Sequence, residues 1–144
     1  MFVTRREVCS LLPFAVMASS IASAADAPLA SGFFPFESLP VRQGKGAQIR
    51  NIFKGAVATG EEVELHETVL EPGASPHPPH HHKHSEMWLI REGTVEITIN
   101  GKTSQIGPGS AAFVASNEEH GIRNPGTKPA MYFVVAVGPF QAGA

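Results

Sequence analysis

Five of the seven histidines, His77, His80, His81, His82 and His84, fall within eight residues, and a carboxylate follows at Glu86. Imidazole nitrogen and carboxylate oxygen are the usual ligands of divalent transition metals. Folding alone does not require them at this density. In an extended strand alternate side chains share a face, so the spacing puts His80 and His82 on one side. Glu86 keeps that parity if the strand continues, and so does His84. Three such groups plus one distant histidine could close around an ion. The competing reading is a solvated, metal-scavenging surface tract. That reading requires no partner from elsewhere, whereas His120 is available farther along the chain. Glu86 also admits a catalytic role, because a carboxylate that swings off a metal can act as general base toward a carbon acid.

The elements that must position these groups read as strands. Residues 48–53 form a plausible short strand. Glu62–Leu70 alternates, with Val63, Leu65 and Val69 on one face and Glu64, His66 and Thr68 on the other. His66 could therefore line a cavity from the polar face. Residues 86–92 are apolar on both faces, which implies a second layer or a partner chain. Val95, Ile97 and Ile99 alternate with polar residues, and Asn100-Gly101 is the strongest hairpin signal present. Glu71-Pro72-Gly73 and Gly107-Pro108-Gly109 mark further turns. Residues 111–115 and 130–137 complete the strand pattern, and no window shows sustained helical periodicity. Eight or so short strands argue an all-β sandwich or closed barrel.

The pattern His80-x-His82-x-x-x-Glu86, with Gly93 seven residues on and Pro72-Gly73 upstream, resembles the first motif of the cupin superfamily. The gap from Pro72-Gly73 to the first histidine is one residue longer than usual. Residues 109–124 resemble the second motif, with a glycine, an apolar strand, a turn at Ser116-Asn117, then His120 and Asn124. Ser116 stands where that turn normally carries a proline. The resemblance covers about residues 47–138. It implies a small jelly-roll β-barrel in which His80, His82, Glu86 and His120 bind one divalent metal, of the set Fe, Mn, Zn, Ni or Cu. Three neutral histidines and one carboxylate leave such a site with net charge +1 and open positions, suited to an anionic oxygen ligand. The expected activity is a metal-dependent, dioxygenase-like oxidation of a small enolisable or anionic substrate. Isomerase or lyase chemistry, or a non-catalytic binding module, are the alternatives. Trp88, Ile90, Phe113, Met131, Tyr132 and Phe133 are candidate lining residues, and Arg91 is expected to be exposed.

Length and composition bound the rest. The 144 residues suffice for one domain with a real core, and the balance of 42% hydrophobic to 17% charged residues is globular. Formal charge is −2 and no Lys/Arg cluster follows residue 6, so nucleic acid has no footprint. Residues 1–24 read as a cleavable export segment: Arg5-Arg6, a short apolar run and Ala22-Ser23-Ala24. They resemble a twin-arginine signal, with an ordinary secretory signal as the alternative. A periplasmic or secreted protein without stable membrane insertion is expected. The single cysteine, Cys9, lies within this segment, so thiolate ligation and disulfides are excluded from the rest. Residues 25–46 read as an arm that docks Phe33, Phe34 and Phe36, residues 47–138 as the barrel, and residues 139–144 as a tail. The arm and the doubly apolar strands together predict a homodimer.

Overall fold

The computed structural model describes residues 27–140. The export segment expected over residues 1–24 and the end of the tail lie outside the described residues. The described residues form nine strands and a single 3-10 turn at Phe36–Ser38: β1 Val41–Gly44, β2 Ala47–Ala56, β3 Glu62–Leu70, β4 Ser85–Glu92, β5 Val95–Ile99, β6 Lys102–Ile106, β7 Ala111–Val114, β8 His120–Arg123 and β9 Ala130–Val137. Six strands form one sheet in the order β1-β2-β3-β9-β4-β7, and three form the other in the order β6-β5-β8. The sheets share one core, to which Leu70, Trp88, Ile90, Tyr132 and Val134 contribute from the large sheet and Val95, Ile97 and Ile122 from the small one. This is the expected all-β jelly roll. Each large apolar side chain withdrawn from water stabilises it by about 1.5–3 kcal/mol.

Turn chemistry defines the connections. Asn100 and Gly101 both take positive φ, 47° and 76°, as a type I′ hairpin requires. Pro72-Gly73 and Pro108-Gly109 occupy the central positions of turns closed by Ala74 N–H on Glu71 O and Ser110 N–H on Gly107 O, both at 3.1 Å. Gly73 and Gly109 sit at φ 72° and 80°, the conformation a type II turn demands at its third residue. Gly93, between β4 and β5, has φ 73°, and a Cβ there would lie 2.8 Å from the Ala130 Cα. Only glycine fits that crossing.

Three strands are additional to those read from the sequence. β1 falls within the expected arm, where it pairs with β2 as an edge strand. β6 is polar and almost wholly exposed. β8 carries the second-motif histidine. The arm docks its aromatics unequally. Phe34 packs 5.5 Å from Phe53 and Phe36 lies under the Arg50 guanidinium at 4.3 Å, but Phe33 is 98% exposed and docks on nothing. A lone phenylalanine beside a docked neighbour gains little from following it. β4 is not buried on both faces either. Trp88 and Ile90 are in the core, whereas Leu89 is exposed.

Asn124, singled out as part of the second motif, is fully buried. Its Nδ2 donates to Leu70 O at 2.9 Å and Lys128 O at 2.8 Å, and its Oδ1 accepts from Gly126 N–H at 2.9 Å. It thus closes the β8–β9 loop and ties it to the end of β3. Asn124→Ala removes three satisfied interactions and should cost about 2–4 kcal/mol in chemical denaturation. A loss well under 1 kcal/mol would contradict this role.

Candidate metal centre

β4 begins only at Ser85, so His80, His82 and His84 lie in the preceding loop and strand alternation does not orient them. Loop-to-loop clamping does. His80 N–H donates to His120 O at 3.0 Å and His120 N–H returns to His80 O at 2.8 Å, an isolated antiparallel bridge. Asn117 N–H donates to His82 O at 2.8 Å. Gly121 permits this approach, since a Cβ there would stand 3.3 Å from Pro79 Cγ. The histidine tract is therefore held against the turn into β8.

The clamp gathers His80, His82 and His120 into one group, each offering a ligand atom within 4.8 Å of the others. Glu86 reaches the same place from the start of β4: Oε1 lies 3.1 Å from His82 Nε2 and Oε2 lies 3.8 Å from His120 Nε2. His82, His84 and Glu86 form a second, overlapping group, with His84 Nε2 3.4 Å from Glu86 Oε1. The four residues singled out in the sequence thus adjoin one another, and His84 stands as close to Glu86 as they do. His77 and His81 are exposed.

Two backbone bonds define the chemistry of these donors. His82 Nδ1–H donates to His84 O and His120 Nδ1–H donates to Glu118 O, both at 2.8 Å. In the neutral ring this leaves Nε2 of each with a lone pair and no hydrogen. Both Nε2 atoms, and Nδ1 of His80, are buried without a hydrogen-bond partner. A protonated His82 ring would form an ion pair with Glu86, whereas in that neutral form its Nε2 meets a Glu86 carboxylate oxygen at 3.1 Å lone pair to lone pair. That contact is repulsive unless a cation is shared. A divalent ion satisfies both atoms and the other orphaned nitrogens at once, so the donor set fits a metal.

Burial is the first cause that lowers His80, to about 4, with the charges of His77, His120 and His82 adding to it against the pull of Glu86. Burial likewise lowers His84 and His120. The rings are thereby kept in the neutral form that ligates.

The cluster opens into a cavity of about 470 Å³, within the range of small-molecule sites. Register supplies its floor. Glu86 pairs with Ala136, and Ala136 pairs with Glu64, so all three face inward, and the small Ala136 leaves space between the two carboxylates. Glu64 accepts from His66 Nδ1 at 3.1 Å and pairs with Lys54 Nζ at 2.9 Å. The hydrogen bond from His66, aided by Lys54 and opposed by burial, holds Glu64 at about 2. His66 lines this cavity and also a deeper one of about 160 Å³, walled by Trp88 and Tyr132. Among the other candidate lining residues, Ile90 is in the core one row farther on, while Phe113 is 60% exposed. Met131 and Phe133 alternate with Tyr132 and face away. Arg91 is half-exposed, 3.7 Å from Glu67 and from Glu92. Lys54 was not legible as a site residue. Its only signal is a register position opposite Glu64.

The cupin domain family matches residues 66–136. This stretch carries the cupin fold. Among solved structures, KdgF from Halomonas sp. superposes with TM-score 0.66 at 16% identity, covering 76% of this chain and 96% of that one. A predicted oxalate decarboxylase from Thermotoga maritima gives TM-score 0.63 at 20% identity, covering 75% and 100%. At such identities the likeness concerns the cupin fold. In sequence, mannose-1-phosphate guanylyltransferase ManC of Salmonella typhimurium is 26% identical over 85 residues, 59% of this chain and 18% of that protein. The chain therefore spans under a fifth of that relative's length.

The depressed histidine has a consequence for acid stability. His80 titrates near 6.5 when unfolded and near 4 when folded, so between those values the unfolded chain binds more protons. Its contribution is complete above pH 6.5 and is lost as pH falls toward 4. Glu64 adds a separate loss in a lower window, from 4.5 down to about 2. Thermal melts of the metal-free protein should show Tm falling between pH 6.5 and 4.5, with a smaller fall in His80→Asn. A flat Tm over that interval would contradict the assignment.

Proposed function

We propose that this cupin is a metal-dependent enzyme acting on a small, anionic, enolisable substrate, with His80, His82, Glu86 and His120 as ligands. The observation that carries the reading is the pair of buried imidazole nitrogens, His82 Nε2 and His120 Nε2, turned toward Glu86 with their Nδ1 hydrogens given to backbone carbonyls. A bound divalent metal would supply Lewis acidity, lowering the cost of negative charge on a substrate oxygen. The protein supplies the rest. Glu118 O and His84 O fix the ring tautomers. Glu86, at the cavity wall, can take a proton from the carbon adjacent to the polarised carbonyl. Trp88, Tyr132 and Val134 give the inner end an apolar wall, which lowers the dielectric around Glu86 and strengthens electrostatics there.

Proton abstraction is common to two continuations. Dioxygenase-like oxidation of the enolate by O₂ is the reading drawn from the sequence. Isomerisation or elimination is the second, and one observation favours it. His66, oriented by Glu64 through Nδ1, lines the same cavity as Glu86, one row of the sheet farther in beside Val134. A redox-neutral rearrangement can use such a second proton-handling group to return the proton at another atom, a role oxidative cleavage does not have.

The test is deuterium exchange followed by NMR in D₂O on small 1,3-diketones and 2-oxo acids, with the protein loaded with Fe(II) or Mn(II) and oxygen uptake recorded in parallel. Metal-dependent exchange should occur and should fall about 10²–10⁴-fold in Glu86→Gln. Oxygen uptake then selects the dioxygenase continuation, and exchange without uptake selects the second. Tight binding of these compounds with neither exchange nor uptake would overturn the enzymatic reading in favour of a non-catalytic module.

A further inference from the structure

Four arginines lie among the described residues, and three are matched with carboxylates. Arg50 lies 3.5 Å from Glu67, Arg91 lies 3.7 Å from both Glu67 and Glu92, and Arg123 lies 2.5 Å from Glu96. No carboxylate of the described residues lies within 4.0 Å of Arg42. Its placement is not that of an ordinary surface arginine. β1 is an edge strand, and its register sets Arg42 opposite Ile49, Ile49 opposite Thr68, and Thr68 opposite Tyr132. Cross-strand partners share a face, so Arg42 stands on the face that carries the buried Thr68 and Tyr132. It is solvent-exposed on this edge strand, but it stands on the side of the sheet that faces the cavity.

The cavities say where it reaches. Arg42 lines the 470 Å³ cavity that holds His80, His82 and Glu86. It also lines the deeper 160 Å³ cavity, which shares Glu86 and His66 with the first. A third space, of about 500 Å³ beside Asn51 and Lys54, meets the same side chain. The other cation at the mouth, Lys54, is already neutralised by Glu64 at 2.9 Å. An anion entering this cavity therefore finds one cation without a counter-charge among the described residues, on a different strand from the histidine cluster.

We propose that Arg42 is a specificity-determining residue that holds a carboxylate of the substrate remote from the reacting atoms, so that the site selects small dicarboxylate-type ligands. The inference rests on the reading of the site given under Proposed function and adds the second anchor point. A guanidinium suits the task because its planar fork can grip both oxygens of a carboxylate, which fixes orientation as well as charge. With one end of the ligand directed at the histidine cluster and the other at Arg42, the carbon between them is presented to Glu86 and His66.

Calorimetric titration of the metal-loaded full chain tests this with malonate, succinate and glutarate against propionate, butyrate and valerate. At least one dicarboxylate should bind about tenfold or more tightly than the monocarboxylate of equal length, the size of a charge-assisted hydrogen bond. Arg42→Gln should reduce that ratio to about two, with metal content by elemental analysis unchanged, and Arg42→Lys should restore part of it. No preference in the wild-type chain would overturn the proposal without recourse to any variant. A preference that survives Arg42→Gln would overturn it equally, leaving Arg42 as an edge-strand charge that deters sheet-to-sheet pairing. The metal reading fails separately. If the chain takes up no metal yet the metal-free protein keeps an Arg42-dependent preference for dicarboxylates, the anchor stands and the ligand assignment falls.

Discussion

In its neutral form, with Nδ1–H given to His84 O, His82 turns an Nε2 lone pair toward a Glu86 carboxylate oxygen 3.1 Å away. Two backbone carbonyls create that situation by claiming the Nδ1 hydrogens of His82 and His120. With the ring neutral and no cation between them the two groups repel, and partial removal from water weakens the screening of that repulsion. Such an arrangement persists only when the surrounding fold over-determines it and a cation can relieve it. The cupin architecture of this chain is organised around that requirement. The His80–His120 bridge and the Asn117–His82 bond bring the first-motif loop onto the turn into β8. Asn124 then closes the loop beyond β8.

The two walls of the cavity have different chemistry, and the strand pattern explains why. β9 buries alternate residues in the usual way. β3 does the reverse at one end: its apolar Val63 and Leu65 face outward while Glu64 and His66 face in, beside Ala136 and Val134. A strand normally turns its apolar side to the core, and the exception marks a polar interior. Lys54 and Glu64 neutralise each other there, so charge balance leaves the net cationic character with Arg42 and with any ion held by the histidines.

Much of this was legible in the sequence. Alternation identified β3 and β5 at their true bounds, because each has a turn signal at its end, while β9 was legible as a continuous apolar run over residues 130–137. Asn100-Gly101 and the two Pro-Gly pairs located their turns for stereochemical reasons that hold in any context. The edge strands β1 and β6 were not legible, since a strand with no buried face carries no hydrophobic period. For the site, spacing suggested His80, His82 and Glu86 by a strand parity that the loop does not obey, and the resemblance to the two cupin motifs supplied His120 and the full set. Their convergence comes from hydrogen bonds to a segment distant in sequence. The roles of Arg42, Lys54 and Glu64 depend on cross-strand register, and a single strand does not encode its partner's offset.

The account is tested most directly by counting imidazole nitrogens on a bound ion. Pulsed electron paramagnetic resonance of the chain loaded with one equivalent of Cu(II) reads that number from the nitrogen couplings. Three equivalent-strength histidine couplings in the parent chain, and two in His120→Ala, are the predicted result. Coupling to a single histidine, or a spectrum that His120→Ala leaves unchanged, would mean that the two remote segments do not share an ion.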